Sequence, residues 1–151
     1  MQRRTLLALA AGLPIGSFTG ASLAAAPMVE IWKDPDCGCC QDWVKHLNRS
    51  GFATRVHNEG NGATRQRLAM PASLGSCHTG LVGGYAIEGH VPAREVQRLL
   101  KEKPRAVGLA VPGMPVGSPG MDGPAYGGRR DPYDVLLVLA DGSTRVYQAY
   151  R

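Results

Sequence analysis

The chain has 151 residues, with 17 lysines and arginines against 12 aspartates and glutamates, four histidines and four cysteines. Its basic residues are scattered, with no basic run and few interleaved aromatics. That distribution argues against a nucleic-acid surface despite a formal net charge of +5.

The N-terminus reads MQRRTLLALAAGLPIGSFTGASLAAAP. Arg3 and Arg4 form a positive leader, residues 5–13 a short apolar stretch, and Ser22-Leu23-Ala24 a small-x-small cleavage signal. Pro14 and Gly16 break the apolar run, which is too short to span a bilayer. Residues 1–25 are therefore expected to be a cleaved export signal, and residues 26–151 a single domain in the periplasm. No other segment is long and apolar enough to cross a membrane, so no span is expected after cleavage. Roughly 125 residues remain, enough for one ordinary core.

Residues 29–33 alternate apolar and polar and suit a strand, which Asp34-Pro35-Asp36 ends. Residues 41–50 are helix-like, with Trp43, Val44 and Leu47 on one face and Gly51 as a stop. Residues 52–57 alternate again as a second strand. Residues 58–62 read as a loop and 63–70 as a short helix ended by Pro71. Two short strands, 79–82 and 85–88, flank a Gly83-Gly84 turn. Pro92 opens a third helix carrying Val96, Leu99 and Leu100 at helical spacing. Residues 107–131 are dense in glycine and proline and read as one long functional loop. Residues 135–140 and 144–150 form a closing hairpin around Asp141-Gly142. The order β-α-β-α-β-β-α predicts an α/β domain, a small sheet with helices packed on it.

Three of the four cysteines fall within four positions, Cys37-Gly38-Cys39-Cys40, and the fourth is Cys77. An exported chain with four cysteines would by default carry two disulfides. A bridge between Cys39 and Cys40 would be strained, and one between Cys37 and Cys39 closes a tiny ring. The cluster closes almost no chain, so it reads as a site rather than a staple. Cys37 and Cys40 make a C-x-x-C frame after a strand and at a helix start, the placement of a thioredoxin-like redox motif. Unpaired N–H groups and the positive dipole end there favour thiolate over thiol. The element order is also that of the thioredoxin fold, where the segment entering the third strand lies beside that motif. Here that segment is Ser76-Cys77-His78-Thr79, which puts Cys77 opposite the cluster. Thioredoxins carry a shielding cis-proline there, and this chain has no proline over residues 72–90. The surplus thiols point to a soft metal: Cu(I), Zn(II) or an iron–sulfur cluster. Structural zinc normally uses two separated C-x-x-C pairs, and iron–sulfur spacings also differ from this one. Cu(I) needs only two or three soft donors, so four thiolates can bridge more than one copper ion.

The stretches WKDPDCGCC, SCHT, GYAIEGHVPA and GMPVGSPGM resemble the CopG-like family of periplasmic proteins, known also as domain-of-unknown-function family 411. The resemblance runs from about residue 29 to the C-terminal hairpin. It implies a thioredoxin-like fold, copper held by Cys37, Cys39, Cys40 and Cys77, and a role in copper resistance. It also implies redox interconversion of bound copper. Beside the cysteines, His78 adjoins Cys77 and is a candidate to ligate copper or move protons. His90 precedes the third helix on a turn that approaches the site in thioredoxin-like folds. The resemblance further implies that Met114 or Met121 faces the copper, a thioether being a soft, uncharged donor. His46 and His57 read as structural, Met70 as core, and Trp32 and Trp43 as packing near the site.

The expected protein is therefore an exported α/β, thioredoxin-like domain with a C-terminal β-hairpin. It would sequester copper and redox-cycle it, with copper ions and other periplasmic copper-handling proteins as partners. The rival is a periplasmic thiol–disulfide oxidoreductase working through Cys37 and Cys40.

Overall fold

The computed structural model describes residues 25–151; the expected export signal, apart from Ala25, lies outside the described residues. The chain is mixed α/β. It runs β1 (Met28–Lys33), α1 (Gly38–Arg49), β2 (Ala53–His57), α2 (Gly62–Arg67), β3 (His78–Val82), β4 (Tyr85–Gly89), α3 (Ala93–Glu102), β5 (Gly108–Val111), β6 (Tyr133–Val138) and β7 (Thr144–Tyr150). Short 3₁₀ turns occupy Ala72–Leu74 and Pro124–Tyr126. Among the described residues no helix is long and apolar enough to cross a membrane.

All seven strands share one sheet, in the order β2-β1-β3-β4-β5-β6-β7. β1 runs parallel to β2 on one edge, reached by the α1 crossover, and antiparallel to β3 on its other edge. β3 and β4 form the expected hairpin, and α3 carries the chain over to β5, parallel to β4. β6 and β7 extend the sheet as the expected C-terminal hairpin.

Most element ends shift by one or two residues from the sequence-based expectation, and three differences are larger. First, α1 starts at Gly38 rather than at residue 41, so Cys39 and Cys40 lie inside its first turn. Second, α2 ends at Arg67; Ala69 takes a positive φ of 56° and turns Met70 inward. Third, residues 107–131 are not one loop. Gly108–Val111 is a fully buried strand that joins the core sheet to the terminal hairpin. Its residues are covered on both faces, so they are apolar throughout and show no alternation. The glycine and proline content of the whole segment concealed it. Gly108 is required by its neighbour: a Cβ there would collide with the backbone of Ala86 on β4.

The main core lies where α1 and α3 cover one face of the sheet. Val29 and Ile31 of β1 meet Trp43 and Leu47 of α1 and Val96 and Leu99 of α3. Each buried aliphatic side chain contributes roughly 1.5–3 kcal/mol by leaving water. A smaller cluster on Met70, Ala86, Ala110 and Val138 forms separately. Helix α3 is amphipathic at a strict helical period, which explains why its position was legible early.

The close approach at Gly108 yields a direct test. Gly108→Ala forces a methyl group into packed backbone and should cost about 1–3 kcal/mol. The urea unfolding midpoint should drop accordingly; an unchanged midpoint would mean that β5 does not lie against β4 there.

Candidate metal centre

Cys37 occupies the N-cap of α1, with extended backbone and no side-chain capping bond, so its sulfur is left free for other partners. Its N–H donates to the Asp34 carbonyl at 3.2 Å, which folds the DPDC turn back on itself. Gly38, Cys39 and Cys40 follow as the first helical turn. Cys77 comes from the far strand: Lys33 at the end of β1 pairs with His78 at the start of β3. That register sets the residue before His78 beside the helix start that follows Lys33. The four Sγ atoms lie within 4.8 Å of one another. Cys39 Sγ is 3.6 Å from Cys37 Sγ and 3.8 Å from Cys77 Sγ, and Cys40 Sγ approaches the Cys77 carbonyl at 3.5 Å. Cys37 and Cys40 are joined as a disulfide, while Cys39 and Cys77 are free. Cys40 is buried; the other three are half-buried, so the cluster is open on one side.

Two imidazoles stand behind Cys77. His90 Nε2 is 3.2 Å and His78 Nδ1 3.5 Å from its Sγ. The opposite ring nitrogens face carbonyls: His90 Nδ1 donates to Pro119 O at 2.8 Å and His78 Nε2 to Gly89 O at 2.9 Å. A carbonyl only accepts, so those nitrogens carry the protons and the lone pairs point at the sulfur. Ring nitrogens held this way are the usual second shell of metal-binding histidines. Both rings are fully buried. Burial, then the charge of His90 and later that of Lys33, lowers the His78 pKa to about 3. Burial likewise lowers that of His90. Both are neutral, the form a metal requires. Cys77 is pushed up to about 12, first by burial and then by the neighbouring Cys39. Without metal it is therefore a thiol, and its S–H donates a hydrogen bond to His90 Nε2.

The segment bearing Cys77 is clamped by a buried carboxylate that the sequence did not reveal. Glu88 is fully buried on β4. It accepts from the Ser76 N–H at 2.7 Å, the Thr79 hydroxyl at 2.6 Å and Arg65 Nε at 2.9 Å. Arg65 and Asn61 both also donate to the Ser76 carbonyl, at 2.7 and 3.1 Å. Burial holds the Glu88 pKa above the ordinary carboxylate value, and the Thr79, Ser76 and Arg65 donors offset this only in part. An Arg–carboxylate pair needs proximity in space, not in sequence, so no local pattern announces it.

The Gly/Pro loop covers the other side. Pro119 holds His90, and the Ser76 hydroxyl donates to the Gly113 carbonyl at 2.5 Å. Gly120 is pressed against α1: a Cβ there would lie 2.6 Å from Cys39 O and 3.0 Å from the Trp43 nitrogen. Met114 Sδ reaches within 4.0 Å of Cys39 Sγ and is 52% exposed, at the open rim. Met121 Sδ instead accepts the Tyr126 hydroxyl at 3.2 Å, which turns it toward Tyr126. Trp43 packs tilted against His78, with ring centroids 4.2 Å apart, and its indole N–H donates to Val91 O, closing the inner wall. His46 accepts the Ala93 N–H, and His57 stacks on Trp32; neither meets the cysteines.

The solved structure of a copper resistance protein, copG form 1, is 45% identical to this chain. The match covers 82% of this chain and 96% of that one, with a TM-score of 0.75. The chain belongs to the CopG-like DUF411 family. The form 2 structure of the same name gives 44% identity over 83% of this chain and 99% of that one, with a TM-score of 0.77. The family profile, described as a protein of unknown function, DUF411, matches residues 74–121. Those residues carry Cys77, both buried histidines and both loop methionines of this CopG-like chain, and stop short of the Cys37–Cys40 block. No curated protein matches the chain.

Gly120 makes the loop's seat on α1 testable. With a φ of +91° and no room for a Cβ, Gly120→Ala should cost about 1–3 kcal/mol and unseat residues 112–131. Limited proteolysis should then cut within that segment far faster than in the parent; equal rates would show that the loop is not held there.

Proposed function

We propose that this protein is an exported, periplasmic copper-binding protein that sequesters Cu(I) in copper resistance. The observation that carries this reading is the convergence of four Sγ atoms within 4.8 Å, with two neutral imidazole lone pairs aimed at Cys77. Thiolate and imidazole donors in a half-buried nest suit Cu(I) and suit hard cations poorly. The two similar solved structures, each of a copper resistance protein, support the assignment. The strand order β2-β1-β3-β4, with a C-x-x-C frame at the start of α1, supports a thioredoxin-like core.

On this reading the ligands are Cys37, Cys39, Cys40 and Cys77, with His78 and His90 behind Cys77 and Met114 at the rim. Met121, held by Tyr126, would join only by turning its side chain. Full loading requires that the Cys37–Cys40 bridge first be reduced. Cys77 then exchanges its proton for metal, as thiol ligands do, and binding releases protons. Four thiolates can bridge more than one Cu(I), and the Cys37–Cys40 dithiol, on closing to its disulfide, would release two protons and give one electron to each of two Cu(II) ions. The exposed turn at residues 34–36 and Met114 form the open side, where a periplasmic copper-handling partner would dock.

The disulfide itself favours a second reading, a thiol–disulfide oxidoreductase using Cys37 and Cys40. Insulin reduction by metal-free protein separates the two: robust turnover without copper dependence would favour the oxidoreductase.

Anaerobic titration of the reduced protein with Cu(I) against a strong chelator should show at least one tightly bound equivalent. Cys37→Ser and Cys77→Ser should each weaken binding more than tenfold, and protein kept in the disulfide form should hold less copper. Binding unchanged in both variants, or absent from the parent, would sink the copper reading.

A further inference from the structure

The segment bearing Cys77 opens onto a cavity that the copper nest does not use. Its volume is about 480 Å³, and Arg65, Gly75, Ser76, Cys77, Gly113 and Met114 line it. Two soft donors belong to this lining, the Cys77 sulfur and the exposed Met114 thioether. Arg65 is its charged member, and no carboxylate lines the cavity with it. Arg65 Nε donates to Glu88, and Nη2 donates to the Ser76 carbonyl, the peptide group that leads into Cys77. Among the described residues Nη1 has no hydrogen-bond partner. A guanidinium is a rigid planar fork, so holding two of its nitrogens fixes the direction of the third.

Gly75 keeps that nitrogen open. A Cβ on Gly75 would lie 3.1 Å from both Cζ and Nη1 of Arg65. The backbone there does not call for glycine, since φ is −55° and ψ 139°. What glycine supplies is space against the guanidinium. Glu88 meets Arg65 from within and is 0% exposed, whereas the Arg65 side chain keeps 19% of its surface exposed. The remaining donors are left to an acceptor from outside the chain. A carboxylate is the matching acceptor for the edge of a guanidinium. A ligand in this cavity therefore meets a carboxylate receptor at Arg65 and soft atoms at Cys77 and Met114.

We propose that this cavity receives copper as the Cu(I) complex of a small, carboxylate-bearing thiol. The carrier's carboxylate docks on Arg65 Nη1 while its copper meets the Cys77 sulfur. In the transfer step the Cys77 thiol displaces one carrier thiolate. A Cu–S bond to the carrier breaks, a Cu–S bond to Cys77 forms, and the Cys77 proton leaves on the released thiol. Copper stays Cu(I) throughout, so no oxidant or reductant takes part. The proposal rests on the copper reading for its biological use, but the carboxylate site itself does not need copper.

Two carriers of equal length, 3-mercaptopropionate and 3-mercaptopropan-1-ol, separate the carboxylate from the thiol. Anaerobic stopped-flow transfer of Cu(I) from each to the reduced protein gives a ratio of second-order rate constants. Each rate is normalised to transfer from the same complex to a small chelator. The parent should favour the carboxylate carrier about tenfold, the scale of one hydrogen bond to a charged group. Gly75→Ala crowds Nη1 and leaves Glu88 and every sulfur in place; it should bring the ratio close to one. Arg65→Lys, which loses the fork, should do the same. A disturbed fold or a weakened copper site slows both carriers alike and leaves the ratio unmoved. No preference in the parent, or the same preference in parent and Gly75→Ala, would overturn the proposal and leave the copper reading intact. If the parent took up no Cu(I) from either carrier or from the chelator titration, the copper reading would fail. The redox-inert 3-(methylthio)propionate then decides the cavity. Saturable shifts of the Arg65, Gly75 and Gly113 NMR signals, absent with 3-(methylthio)propan-1-ol, would uphold the carboxylate site, and no shifts would remove it.

Discussion

The antiparallel register of β1 against β3 is the constraint on which the site depends. Pairing Lys33 with His78 sets the end of one strand beside the beginning of another. The chain leaves β1 through the DPDC turn into α1 and enters β3 through Ser76 and Cys77. One ladder therefore brings together sulfurs that are otherwise about forty residues apart in the chain. A slip of one residue would turn every side chain of β3 to the opposite face. His78 would leave the buried wall, and Cys77 would swing away from Cys39.

Around that register the fold adds supports that are polar and internal. The Glu88 carboxylate, with Arg65, Asn61 and Thr79, ties down the backbone on both sides of Cys77. Breaking a buried ion pair by removing one partner typically costs about 3–5 kcal/mol, so this segment is rigid by construction. The Gly/Pro loop supplies the complementary face. Its Pro119 carbonyl selects the His90 tautomer, and its Gly120 lets the loop backbone lie against α1. A soft-metal nest benefits from such rigidity, because its donors are then held in place before the ion arrives.

Much of the site was legible in the sequence. Three cysteines in four positions at a helix start, and a fourth entering the third strand, were enough to place all four sulfurs together. The order of elements along the chain agreed, β5 apart, because alternation, glycine turns and proline stops are local signals. Strand β5 escaped notice because a strand buried on both faces has no alternation, and its neighbours are rich in glycine and proline. Met114 and Met121 looked equivalent, in near-mirror sequence settings. The fold separates them by giving Met121 a tyrosine hydroxyl and leaving Met114 beside Cys39.

What the sequence determined by itself was the set of soft donors and the helix that presents three of them, because both follow from residue type and short-range spacing. The tertiary structure alone decided which nitrogens of His78 and His90 face the sulfur. It also decided which methionine stands at the rim, and that the Lys33 ammonium ties down the Asp34 and Pro35 carbonyls. Each of these depends on burial, and the first two on partners distant in the chain. Charge and hydrogen bonding in an interior are settled by what closes around a group, and that information is nonlocal.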